Sequence, residues 1–153
     1  MKIKQILTAD CIAASLNSTT KEGVIEELAA LLTTTHPQLQ KEDIVRILLE
    51  REKLGSTGIG NGIAIPHGKL SSLPQILTAF GRSIGGILYD SQDGRPAHLF
   101  FVLLAPEHAA SLHLKALARL SRLLKDNHFR NRLLEAKDEK EIYQEIIAED
   151  DKF

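Results

Sequence analysis

The sequence predicts an α/β layered domain, and three observations carry that expectation. Apolar residues recur at helical spacing through the first third of the chain. A continuous apolar run of strand length, Leu99 to Leu104, lies in the middle. From Ala109 onward the spacing is helical again to the end. Strands alternating with helices favour layers in which helices cover a sheet.

The elements follow in order. Thr19 with Glu22 fits a capping box, and Val24, Ile25, Leu28, Leu31 and Leu32 then form one helical face. That helix should stop near His36-Pro37, because a residue before proline is pushed out of the α region. A second helix should run from Lys41 to Leu54 with Ile44, Ile47 and Leu48 inward. Gly55 to Gly62 holds four glycines, which predicts an irregular loop. Ile63 to Ile65 is expected as a short buried strand stopped by Pro66. Ile76 to Arg82 is a further strand, and Asp93-Gly94 a turn. Leu99 to Leu104 suits a strand covered on both faces. The last helical stretch should break once at Asn127 or its neighbours, with Asp138 capping the final helix.

Composition narrows the function classes. The chain has 153 residues, a net charge of −1 and one cysteine, Cys11. It has no basic footprint for nucleic acid or an anionic membrane. Its cysteine cannot close an internal disulfide, which is consistent with a reducing compartment. No apolar stretch reaches the roughly 20 residues of a spanning helix, and the N-terminus lacks a secretory core. A cytoplasmic protein without membrane insertion is expected.

Two polar residues stand at positions the helical pattern reserves for apolar ones. With Ile44 at zero on a helical wheel, Ile47 falls near ~300°, Leu48 near ~40° and Arg51 near ~340°. Arg51 thus lies inside the apolar arc, where a snorkelling stem is the bland explanation. His113 shares an arc with Ala116, Leu117, Leu120 and Leu124, where a hydrogen-bonded core histidine is the bland explanation. Its place in the first turns of a helix would favour a nearby anion.

His67 sits between Pro66 and Gly68, beside the glycine-rich loop. Proline and glycine would let a sharp turn present the imidazole. The loop glycines would let backbone N–H groups approach an anion, with Ser56 and Thr57 adding hydroxyls. A neutral imidazole has a free ring nitrogen, and phosphoryl transfer needs charge stabilisation that Arg51 and His113 could give. No metal or cofactor enters this logic. Nucleotide-binding motifs fail: Asn61 follows Gly60 where a P-loop needs lysine, and Ile63 occupies the last glycine position of a dinucleotide fingerprint. His108 and His113, five apart, point to different helix faces and make poor metal partners.

The segment from Arg51 through Gly55-Ser-Thr-Gly-Ile-Gly-Asn-Gly62 and Pro66-His67-Gly-Lys69 resembles the active-site block of the fructose/mannitol-type enzyme IIA domains of the bacterial phosphotransferase system. The nitrogen-regulatory enzyme IIA proteins form part of that group, and the chain resembles them most. The resemblance continues through Phe100 to Pro106 and His113 to Ala118, so residues 1–153 are expected to form one such domain. It implies a mixed β-sheet flanked by helices on both faces. It implies His67 as phosphoacceptor at Nε2, an HPr-type phosphocarrier as donor, Arg51 and His113 as the other catalytic residues, and Ser56 and Thr57 near the phosphate. One departure is visible: many relatives carry Val-Asp where this chain has Ala97-His98.

Three functions follow as expectations. One is nitrogen-type signalling through regulatory target proteins. The second is relay of phosphate to a IIB domain for a fructose/mannitol-type sugar. The third, from another class, is a non-catalytic anion- or partner-binding module.

Overall fold

The computed structural model describes residues 1–153. Its elements are β1 (Ile12–Ala13), α1 (Lys21–Thr35), α2 (Lys41–Lys53), β2 (Gly58–Gly60), β3 (Ile63–Ala64), β4 (His67–Lys69), β5 (Leu77–Ile87), β6 (Ala97–Ala105), α3 (Ala110–Leu124), α4 (Asn127–Glu135) and α5 (Glu139–Asp150). Six strands form one mixed sheet in the order β1-β5-β6-β3-β2, and β4 also pairs with β6. β5 and β6 run antiparallel, while β1 joins β5, and β3 and β4 join β6, in parallel. The expected mixed sheet flanked by helices is what the chain forms.

Strand register explains why both faces are covered. β6 is buried at every position from Leu99 to Ala105, as the unbroken apolar run predicts. Side chains alternate along a strand. Leu103 and Ala105 share one face and pack with Ile76 and with Ala116 of α3. Phe100, Val102 and Leu104 face the other way and join the main cluster of 37 buried residues. α2 packs on that second face at β4, where a Cβ on Gly68 would lie 2.4 Å from Ile47 Cγ2. Glycine is therefore required at position 68 for close approach of helix and strand.

Helix ends are fixed by side chains. Thr20, one residue after the expected cap, accepts a hydrogen bond from the Gly23 N–H, so the Thr19–Glu22 capping box is not formed. The shift moves Glu22 into the first turn, where its charge still favours the helix N-terminus. Asp126 caps α4 by accepting from His128 and Phe129 at the expected break, and Asp138 caps α5 by accepting from the Glu141 N–H, as expected. A cap of this kind is worth about 1 kcal/mol.

Two further expectations are corrected. The glycine-rich stretch is not wholly irregular, because Gly58–Gly60 forms an edge strand paired with β3. β3 does end before Pro66, as expected, and pairing to β6 resumes at His67 as a separate strand. Proline lacks an N–H, but its carbonyl accepts from the Leu103 N–H at 2.9 Å and so continues the ladder. The β5 strand also extends to Ile87, beyond the expected Arg82, across an irregularity that glycine at 86, with φ of +84°, makes possible. No helix is long and apolar enough to cross a membrane.

Candidate active site

His67 opens β4 in register with Leu103 of β6. Paired residues point to the same side of a sheet, and Leu103 faces α3. The His67 ring is thereby carried toward α3, where it meets His113. The two rings lie edge to face with centroids 5.5 Å apart. The turn expected at His67 is thus a strand start, and its orientation comes from register rather than from loop geometry.

The His67 Nδ1 lies 2.8 Å from the Ile65 carbonyl oxygen. A carbonyl only accepts, so Nδ1 carries the proton and Nε2 is left with its lone pair. The His67 pKa is lowered, chiefly by burial. The Ile65 hydrogen bond opposes that shift, the Arg51 charge adds to it, and the Glu52 carboxylate opposes it. The ring is therefore neutral and nucleophilic at neutral pH.

His113 is 6% exposed, and its Nε2 is buried with no hydrogen-bond partner. Its pKa is pushed down to about 4, first by burial and then by the neighbouring His67 and Lys69. Histidine would be expected to pair such a nitrogen. An orphaned ring nitrogen beside His67 marks a place for an incoming polar group.

Arg51 closes the C-terminal turn of α2 and donates from Nη1 to the Gly55 carbonyl at 2.8 Å. The rest of its fork has no protein partner, and the residue is half-buried. The expected apolar arc is otherwise present: Ile44 and Leu48 are fully buried and Ile47 packs against the core.

Ser56 and Thr57 are placed differently from the two histidines. The Ser56 hydroxyl donates to the Tyr89 carbonyl at 2.8 Å and accepts from the Gly58 N–H at 3.0 Å. Thr57 is buried, with its hydroxyl on the Glu52 carboxylate. The loop N–H groups of Gly55, Thr57 and Asn61 are bonded to Glu52 and Asp93. These N–H groups and both hydroxyls are thus engaged by Glu52, Tyr89 and Asp93.

Sequence reasoning missed Glu52, Tyr89 and Lys21, which organise this loop. Glu52 follows Ile44 and Leu48 on one buried row of α2, with Val45 and Leu49 packed beside it, so the wheel carries a signal once those two residues are counted in the apolar face. His98 also receives an explanation. Its Nδ1 lies 2.9 Å from the Ser83 carbonyl, and its ring packs against Gly86, where a Cβ would come within 2.8 Å. It pins the irregular end of β5.

A mixed sheet that sets two neutral histidine rings edge to face is an arrangement suited to phosphoryl transfer through histidine. The chain belongs to the family described as "Phosphoenolpyruvate-dependent sugar phosphotransferase system, EIIA 2", whose model matches residues 5–149. It is 44% identical over 152 residues to the fructose-specific EIIABC component of Bacillus subtilis, covering 99% of this chain and 24% of that protein. It is 41% identical over 143 residues to the nitrogen regulatory protein of Bradyrhizobium diazoefficiens, covering 94% of this chain and 93% of that one. Among solved structures, the nitrogen regulatory protein IIA-Ntr of Neisseria meningitidis superposes with a TM-score of 0.88 at 34% identity, over 94% of this chain and 98% of that one. Enzyme IIA(Mtl) of Escherichia coli, solved in complex with phosphorylated enzyme IIB(Mtl), shares the fold with a TM-score of 0.77 at 23% identity, over 93% of this chain and 97% of that one.

Proposed function

We propose that residues 1–153 act as one cytoplasmic phosphocarrier domain in which His67 accepts a phosphoryl group at Nε2 from an HPr-type protein. The observation that carries this reading is the Nδ1 hydrogen bond to Ile65, which reserves Nε2 for the nucleophilic lone pair.

The step balances without a base. The Nε2 lone pair attacks phosphorus, a new N–P bond forms, and the N–P bond to the donor histidine breaks with its electron pair returning to that ring. The proton stays on His67 Nδ1, hydrogen-bonded to the Ile65 carbonyl, so the phosphorylated ring becomes cationic. That retained proton makes the ring a good leaving group for onward transfer. The free face of Arg51 supplies charge to the equatorial oxygens of a loose transition state. The His113 ring, neutral at working pH, donates from its orphaned Nε2 to a phosphoryl oxygen. Ser56 and Thr57 serve the phosphate by fixing the loop around Arg51.

The nitrogen-regulatory role is the preferred one, supported by relatives of that name that match along nearly their whole length. In it, the phosphorylated and free forms are read by regulatory target proteins. The fructose-type relative supports a second reading, relay to a IIB domain.

Reconstitution with phosphoenolpyruvate, enzyme I and an HPr-type carrier tests this. Acid-labile phosphate should appear on His67. Equal labelling of His67→Ala and the parent would end the phosphocarrier reading. Rapid loss of label to an added IIB domain would favour uptake over signalling.

A further inference from the structure

The carboxylate of Glu52 has no part in the transfer as drawn, yet it is the most heavily bonded group beside the site. Glu52 follows Arg51 on α2 and is 9% exposed. Its Oε1 accepts from the Thr57 N–H at 3.1 Å and lies 2.9 Å from the Lys21 ammonium. Its Oε2 accepts from the Tyr89 hydroxyl at 3.1 Å and from the Thr57 hydroxyl. Lys21 also stands 4.7 Å from the Tyr89 ring centroid and 3.6 Å from the exposed Asp90 carboxylate. Burial, and then the charge of Glu52 itself, hold the Tyr89 phenol well above its ordinary range, so it stays a donor.

A carboxylate withdrawn from water is costly unless it is paired and fully bonded. Hydrogen bonds alone would hold the loop, and a neutral amide could take part in them. The charge needs a different reason. It lies one residue from Arg51 in the last turn of α2, the helix seated on β4 where Ile47 meets Gly68 beside His67, and acts on that ring in the direction opposite to Arg51.

We propose that Glu52 is a positioning residue whose buried charge, offset by Lys21, sets how strongly His67 retains a phosphoryl group. This rests on His67 being the phosphoacceptor. Phosphorylation adds about −1.5 to −2 units of charge at the site. Arg51 stabilises that charge and Glu52 repels it, with Lys21 limiting the repulsion. The site is thereby kept from holding the group too tightly to pass it on.

The sign of the effect makes it testable. Each variant is equilibrated with graded mixtures of phosphorylated and unphosphorylated HPr-type carrier, and the phosphorylated fraction is read by intact-mass spectrometry. Glu52→Gln is close to isosteric, because the Thr57 and Tyr89 hydroxyls can turn to accept from its amide. It should shift the equilibrium toward the phosphorylated form by about fivefold. Lys21→Met should shift it about as far the other way, since Glu52 is then unopposed. The double variant, with the pair removed, should lie between the two. A purely structural role would lower phosphorylation in both single variants. Shifts of the same sign, or none in either, would overturn the proposal while leaving the His67 reading intact. An unlabelled parent would remove the His67 reading itself, and this inference with it. If Glu52→Gln alone fails to fold, the double variant decides: a phosphorylated fraction above that of Lys21→Met supports the proposal, and one at or below it overturns it.

Discussion

The Nδ1 of His67 donates to the carbonyl of Ile65, two residues earlier in the same chain, at 2.8 Å. The bond is local, so the tautomer is set by the backbone path through Pro66 and does not depend on another element. It fixes which nitrogen keeps its lone pair, the one the proposed transfer uses.

Phosphate acceptance should therefore persist well into mild acid. The His67 pKa lies below its ordinary value of 6.5. Neutral Nε2 remains available as pH falls through 6.5, and the initial rate should decline only beneath that. Rapid-quench phosphorylation between pH 5 and 8 measures this. A midpoint above 6.5 would contradict the assigned environment.

Stability should fall over the same range, for a related reason. The folded pKa of His113 is about 4, against 6.5 for the unfolded reference. The unfolded chain binds the extra proton first, so stability is complete above pH 6.5 and is lost as pH drops toward 4. The difference corresponds to about 3 kcal/mol at its full extent. Urea titrations at pH 7.5 and pH 5 should show the loss in the parent, and His113→Gln should show much less of it.

Removing Arg51 should separate chemistry from folding. Its one protein hydrogen bond, to Gly55, is worth about 1 kcal/mol. Arg51→Ala should melt within a few degrees of the parent yet accept phosphate about a hundredfold more slowly. Arg51→Lys should recover little, since a point charge lacks the planar fork. Normal transfer in Arg51→Ala would remove the residue from the site.

The seam between α2 and β4 should be sensitive to a single methyl group. Gly68→Ala places a Cβ 2.4 Å from Ile47 Cγ2, which the packed helix cannot absorb without moving. A loss of about 1–3 kcal/mol is expected, with slower phosphorylation because His67 is the next residue. Ile47→Ala in the same chain should recover part of both, and a double-mutant cycle by urea denaturation reads the coupling.

Arg82 offers a contrast far from the histidines. Its guanidinium is buried and donates to the carbonyls of Ala14, Leu133, Leu134 and Ala136. It thus closes the C-terminal end of α4 onto the sheet. Arg82→Met should leave those carbonyls unsatisfied and cost about 3 kcal/mol or more. Material that remains folded should still be labelled on His67.

Much of this was legible in the sequence where one residue's environment decides the outcome. The β6 run, the α2 face, the break near Asn127 and the cap at Asp138 are local signals, and they fall where the sequence places them. Arg51 and His113 stood out because each interrupts an apolar arc. The parallel pairing of β4 with β6 did not show, because three residues around a proline carry no strand pattern. Register across that pair is what turns His67 toward α3. Glu52 escaped although it shares a buried row with Ile44 and Leu48, because a glutamate near a helix end looks like an ordinary solvated side chain until Lys21 and Tyr89 arrive from distant segments. The Ser56 and Thr57 hydroxyls looked free because the acceptor of one is the distant Tyr89 carbonyl and that of the other is Glu52, itself read as solvated.

The internally bonded loop has a consequence for recognition. With Ser56, Thr57 and Asn61 already satisfied inside the protein, the arrival of a phosphoryl group has little slack backbone to pull into a new path. On the proposed reading the two forms share one contour and differ in surface potential. A partner that tells them apart senses a field, and its discrimination should weaken as added salt shortens the Debye length below about 8 Å.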